Sequence, residues 1–271
     1  MLILIVAYLV EHPARYTAQL QAGLGLIPET QILLQLWEKG MSASDLYRRA
    51  LESGHFPMMT ARRLRNLVVE GFAARYLCEG DIPAYYMKIL LPTQTSEEFQ
   101  QMCLLFTCRS QAIVGDFIRQ VYWVRYAAGD RELRNDTARQ FVERAIDKGR
   151  MIKPWSDETI GRISGSLTGC CADYGLLEGG VRRKRRFLNV RLLDRVAVYL
   201  AYDLHFQGLS DQAILHHEDW QIFGLEANDV LAELKRISLE KWFIVQSGGQ
   251  LVRIGWKYAS MEALCHVLTG R

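Results

Sequence analysis

SDETIGRISGSLTGCCADYGLLEGGVRRKRRFLNVRL, residues 156–192, decides the fold, because one stretch holds a helix, its stop and a basic ribbon. Ser156 is a good N-cap, and Trp155 and Ile160 occupy the N′ and N4 positions of a hydrophobic staple. Ile160, Ile163, Leu167, Cys170, Cys171 and Tyr174 then recur at three- and four-residue steps, the spacing of one helical face. Gly175 to Gly180 dissolves that helix, and the run from Val181 to Leu192 is strand-compatible and strongly basic. In an extended ribbon alternate side chains face opposite ways, so Arg183 and Arg185 are expected on one face and Arg182, Lys184 and Arg186 on the other.

Working outward, the same punctuation repeats. Pro28 suits a first helical turn, with Ile32, Leu33, Leu36 and Trp37 on one face and Gly40 as the stop. Ser42 with Asp45 caps a second helix whose apolar face is Leu46, Ala50 and Leu51. Thr60 caps a third, with Leu64, Leu67, Val68, Phe72 and Tyr76 inward, completing a trihelical unit. Pro83 and Pro92 mark a joint, Thr95 with Glu98 starts another helix, and Ile113, Phe117, Val121 and Val124 form a further stripe. After residue 192 three more helices precede FIVQ (243–246) and LVRI (251–254), which flank a Ser-Gly-Gly-Gln turn and read as a hairpin. The expected class is mainly α: compact helical bundles carrying two helix-turn-helix-like units, with strands confined to about 181–191 and 242–258. The division along the chain is 14–91 (N-terminal helix-turn-helix unit), 92–152 (central helical scaffold) and 153–271 (winged-helix-like unit and tail).

Composition narrows the function. The chain has 271 residues, is 49% apolar and carries a net charge of only +3, so any polyanion site has to come from clustering. Six cysteines (78, 103, 108, 170, 171, 265) form no CxxC pair and read as buried reduced thiols of a cytoplasmic protein. MLILIVAYLV at the start is shorter than the roughly 20 residues a spanning helix needs, and it lacks signal-peptide flanks. No membrane association is expected. Phosphate-loop, dinucleotide, nucleophile-elbow and HExxH motifs are missing. Glu233-Leu234-Lys235 falls mid-helix, where Glu and Lys diverge, and His216-His217-Glu218-Asp219 cannot converge on one ion. The expectation is a non-enzymatic chain with no cofactor and no metal.

Two basic constellations remain. Arg62, Arg63, Arg65 and Asn66 begin the third helix, where helix-turn-helix proteins present guanidiniums and amides to the major groove. The connection from Gly54 to Met59 is longer than the usual turn of about three or four residues. The second is the 156–175 helix with its ribbon, arranged as a recognition helix and wing. Between Val181 and Arg195 seven basic residues (Arg182, Arg183, Lys184, Arg185, Arg186, Arg191, Arg195) face one acid, Asp194, and self-repulsion in so tight a run is relieved by a polyanion. On the helix, Thr159, Arg162 and Ser166 are among the positions open to a groove. Double-stranded DNA is the expected partner, with a protein scaffold docking an acidic surface as the second reading.

Several stretches carry a resemblance. Arg15-Tyr16-Thr17, Gly25-Leu26-Ile27-Pro28-Glu29-Thr30, Leu36-Trp37, Gly40-Met41-Ser42, Thr60-Ala61-Arg62-Arg63 and Phe72 to Leu77 resemble the BrxA family of bacterial BREX phage-defence systems. His217-Glu218-Asp219-Trp220, Phe223-Gly224-Leu225 and Leu251 to Trp256 are similar to its tail, so the resemblance runs from about residue 14 to the end. It implies an all-helical protein with two helix-turn-helix units that binds double-stranded DNA, catalyses nothing itself and works beside other BREX proteins. Residues 1–13 match nothing in that pattern. Alone, the protein is expected to be monomeric.

Overall fold

The computed structural model describes residues 16–18, 20, 25–180, 183–249 and 251–270; the apolar run 1–10, the rest of 1–13 and Arg182 lie outside them. In chain order the helices are α1 (Ile27–Leu36), α2 (Ala43–Glu52), α3 (Ala61–Asn66), α4 (Ile82–Leu90), α5 (Ser96–Ser110), α6 (Ala112–Phe117) and α7 (Trp123–Ala127). Strand β1 (Glu132–Arg134) precedes α8 (Asn135–Asp147) and α9 (Asp157–Asp173), and β2 (Lys184–Arg186) follows. The remainder is α10 (Asp194–Phe206), α11 (Asp211–Leu215), α12 (Glu218–Gln221), α13 (Ala227–Ser238), the strands β3 (Phe243–Gly248) and β4 (Leu251–Trp256), and α14 (Met261–Leu268). The fold is mainly helical with two small antiparallel sheets, β1–β2 and β3–β4. Among the described residues no helix is long and apolar enough to cross a membrane.

The helix starts follow the capping residues. Ser42, Thr60 and Ser156 each accept a bond from the amide three residues on, satisfying one orphan donor per helix. Thr95 and Glu98 exchange reciprocal bonds, Thr95 N to Glu98 Oε2 at 2.9 Å and Glu98 N to Thr95 Oγ1 at 3.1 Å, a complete capping box. α9 ends in a Schellman arrangement: Leu176 N donates to Cys171 O at 2.8 Å and Gly175 N to Ala172 O at 3.1 Å. That geometry needs the left-handed conformation of Gly175, φ 73°.

The chain forms two compact units, each built from two separate segments. The first takes the residues up to 26 and 107–189. Its core holds Phe117, Ile118, Tyr122, Leu133, Phe141, Val142, Ile163, Leu167 and Leu177, all buried. Helices α8 and α9 pack together, and β1 lies against α8. The β1–β2 register pairs Glu132 with Arg186, Leu133 with Arg185 and Arg134 with Lys184. β2 is flanked on its other side too, since Glu178 N donates to Arg186 O (2.9 Å) and Leu188 N to Leu176 O (3.0 Å). The basic ribbon therefore lies between β1 and the 176–178 segment, which meets it through an isolated bridge from Leu177 to Phe187. Its partner strand, Glu132–Arg134, falls outside the two expected strand regions; three residues are too few for an alternating pattern to register.

The second unit takes 27–106 and 190–271. Helices α1, α2 and α3 pack on one another, and α3 runs on through a π-helical stretch, Leu67–Ala73, to Tyr76. Leu33, Leu34, Trp37, Leu46, Phe72, Tyr76, Tyr199, Tyr202, Trp220, Leu234 and Phe243 are buried. Asp211 pins the hairpin by accepting from Ile254 N (2.9 Å) and Trp256 Nε1 (3.2 Å). Three side-chain expectations are corrected. Leu51 and Val124 are 52% and 58% exposed, because each stands at the edge of its stripe. Cys78 is exposed beside a turn, whereas the other five cysteines are buried and unbridged. Burial pushes the Cys103 and Cys265 thiols up to about 12, which keeps them protonated and unreactive.

Candidate nucleic-acid interface

In the second unit, the start of α3 projects a bare cationic edge. Thr60 fixes the first turn through its bond from Arg63 N (3.3 Å), and Leu64 turns inward while Arg62, Arg63 and Arg65 stay exposed. None of the three has a carboxylate partner among the described residues, whereas Arg48 and Arg49 on α2 pair with Asp45 and Glu38. Asn66 is half-buried. The connection 53–60 is long, but buried Phe56 anchors it and Met59 N donates to Phe56 O at 3.1 Å. Arg191 belongs to this unit as well, exposed and 3.8 Å from Glu233.

In the first unit, α9 and β2 carry the other expected residues. Arg162 is exposed; Thr159 and Ser166 are half-buried, and Ser166 Oγ donates back to Arg162 O at 3.0 Å. Gly161, Gly165 and Gly169 fall one helical turn apart on the accessible part of α9. Beyond the helix's own backbone, no described atom lies closer than 4.0 Å to where their Cβ atoms would be. Glycine inside an exposed helix costs about 1 kcal/mol relative to alanine, so this smooth face is bought at the expense of helix stability.

The ribbon presents only part of its charge. Arg183, Lys184 and Arg186 are exposed, but Arg185 is 8% exposed and donates through Nη1 to Glu178 O at 3.1 Å. Side chains alternate over Lys184–Arg186, with Arg185 turned inward to anchor the sheet, but Arg183, expected on the same face, precedes β2 and is exposed. Lys184 is also engaged, reaching both oxygens of Glu132 at 3.0 and 3.2 Å. That contact, with Arg186 and Arg134 nearby, holds the Glu132 carboxyl below its ordinary range.

Beside β1 and β2 lies an open groove of about 900 Å³ that sequence reasoning missed. Arg125, Arg131, Arg134 and Arg186 line it with Asp130, Glu132, Thr137 and Phe187. Phe187 in that lining packs its ring edge to face against Tyr126 at 5.8 Å. Arg131 and Arg134 come from an unremarkable stretch, and only their pairing with the ribbon reveals them.

Glu233 bonds Arg236 on its own helix while Lys235 points to solvent, and His217 Nδ1 accepts from Asp219 N (3.3 Å) as a cap. Among the described residues no three His, Cys, Asp or Glu side chains gather as a metal site.

A crystal structure described as an uncharacterized protein from Magnetospirillum magneticum is similar in fold, with a TM-score of 0.57 and 20% identity over 71% of this chain and 95% of that one. Among curated proteins nothing matches. The BrxA family model matches residues 14–203, which leaves the tail motifs beyond residue 203 outside the match. With well over half its length in that match, this chain belongs to the BrxA family and is a BREX-associated protein.

Proposed function

We propose that this protein is a non-enzymatic, double-stranded DNA-binding subunit of a BREX phage-defence system. One observation carries the reading: both units display exposed guanidiniums to which no carboxylate is bonded among the described residues, Arg62, Arg63 and Arg65 in one and Arg183 and Arg186 in the other. Unscreened like charges at these densities repel one another, and condensed counterions released from DNA on contact supply the compensating free energy. Arg162, Thr159 and Ser166 on α9 and Asn66 on α3 stand where a groove would be met, and the three-glycine face of α9 lets a backbone approach closely. Arg191 adds a further cation, and Lys184 becomes available once Glu132 releases it. Its other partners would be BREX proteins.

Fluorescence anisotropy on a short duplex across a salt series tests this. If roughly six phosphates are met, the slope of log K against log salt lies near −5. Replacing Arg183 and Arg186 with Ala flattens it by about 1.8, two phosphates at about 0.9 each, and replacing Arg62, Arg63 and Arg65 weakens binding independently. A protein-docking role for the basic surface predicts instead that heparin of equal charge competes as well as duplex, with no dependence on duplex form. Unchanged slopes in both variants would sink the DNA reading.

A further inference from the structure

We propose that the groove beside β1 and β2 is a phosphate-backbone site in which Arg131, Arg134 and Arg186 take neighbouring phosphates of a DNA strand, and in which Glu132 holds Lys184 back from them. The inference rests on the DNA-binding reading and adds to it a set of contacts from a strand outside the basic ribbon.

The groove has four guanidiniums and two carboxylates. Asp130 lies 3.4 Å from Arg125, and Glu132 spends both oxygens on Lys184. Arg131, Arg134 and Arg186 therefore converge on one concavity without a carboxylate bonded to any of them among the described residues. The ladder register explains their alignment. Leu133 and Arg185 oppose each other and are buried, so the other face of the ladder carries Arg134 opposite Lys184 and Arg186 opposite Glu132. Side chains two apart on a strand stand roughly 7 Å from one another, so the face is a row of charges rather than a single point. Thr137 adds a hydroxyl to the lining, and Phe187 an aromatic ring. A groove of about 900 Å³ lined along its length by arginines suits an extended polyanion better than one small anion.

Glu132 makes the proposal distinctive. It sits in the middle of the row, opposite Arg186, yet its bonds go to Lys184. Neutralising it removes a repulsive charge from the path of the backbone and frees a lysine to join. Loss of this one charge is thus expected to tighten binding, which a purely structural residue would not do.

The test uses the full chain, a short labelled duplex and anisotropy over a salt series. R131A/R134A is expected to flatten the slope by about 1.8, two phosphates at 0.9 each. E132Q is expected to steepen it by about 0.9, and E132Q/K184A to return it to the wild-type value. K241A/R253A, which removes the same charge from the β3–β4 hairpin and the turn leading into it in the other unit, controls for net charge and leaves the slope near wild type. An R131A/R134A slope equal to that of the control would overturn the groove, as would unchanged or weakened binding by E132Q. A wild type that fails to bind duplex even at low salt would overturn the DNA reading and the groove with it. Competition by millimolar inorganic phosphate as effective as duplex at equal phosphate would overturn the assignment to a backbone. Matching unfolding curves for all variants confirm that the differences arise at the surface.

Discussion

Tyr16 donates its phenolic hydrogen to Asp116 Oδ2 over 2.6 Å, across a hundred residues of sequence. The same carboxylate accepts from Arg119 and Arg150, each at 2.9 Å, and the Arg150 guanidinium lies 4.5 Å over the Tyr16 ring. Tyr16 N also donates to Arg150 O at 2.7 Å. Burial, with Asp116 beside it, pushes the Tyr16 phenol well above its ordinary value, so it remains a donor at any working pH. Removing the shared carboxylate in D116A leaves two guanidiniums short of their common acceptor and is expected to cost about 3–5 kcal/mol in urea unfolding. Y16F, which loses one bond to a charged acceptor, is expected to cost about 1.5–3 kcal/mol. A chain beginning at Ala14 keeps every one of these contacts. It is expected to stay soluble and to bind duplex like the full-length protein, and recovery only from detergent-extracted membranes would contradict that.

Gly25 is held in the left-handed region, φ 70°, and a Cβ there would stand 1.9 Å from the Asp173 carboxylate oxygen at the end of α9. G25A therefore carries two separate penalties: backbone strain of about 1–3 kcal/mol and a steric conflict with Asp173. The double variant G25A/D173A relieves only the second. Its measured destabilisation is expected to fall below the sum of the single variants by at least about 0.5 kcal/mol, the smallest coupling of touching residues. Additivity would mean that the two residues do not meet.

These contacts mark where sequence reading stops. Ser42, Thr60, Thr95, Glu98 and Ser156 were legible as helix starts because capping is local chemistry, decided within four residues. The β3–β4 hairpin was legible for the same reason. β1 was not. Only Leu133 faces inward, between Glu132 and Arg134, and its partner lies some fifty residues on. Arg131 and Arg134 consequently carried no signal as site residues. Arg185 read as one cation among several because nothing in the ribbon tells that β1 lies on one side of it and the 176–178 segment on the other. Nor does any run of consecutive residues reveal that 27–106 and 190–271 form one compact unit.

Acid titration should expose the tie between α10 and α13. Arg236 donates to both oxygens of Asp194, and the bond to Arg236 is the main reason that carboxyl lies below its ordinary 3.8. A depressed carboxylate stabilises the native state fully above the unfolded value and loses that contribution as pH falls through the folded one. D194N is thus expected to be less stable than wild type at pH 7, by up to about 1 kcal/mol for a part-exposed pair. The gap is expected to close as pH drops below 3.8. Urea unfolding of both proteins at several pH values checks the sign, and a gap that widens toward acid would refute the assignment.

The glycine face of α9 offers a test in which stability and function move oppositely. Gly165 and Gly169 have nothing within 4 Å of where a Cβ would lie, and neither has a positive φ. Alanine at each position is therefore accommodated without conflict and should stabilise the helix by roughly 1 kcal/mol per site in an otherwise unchanged protein. If DNA approaches this face closely, the added methyls hold it off and G165A/G169A binds duplex more weakly while melting at a higher temperature. If the glycines serve no contact, the variant gains the same stability and binds as wild type. If instead they are needed for packing within the unit, stability falls, contrary to the open space around them. Thermal melts and anisotropy on the same preparation separate the three outcomes, and only higher stability with weaker binding supports α9 as a surface that meets the duplex.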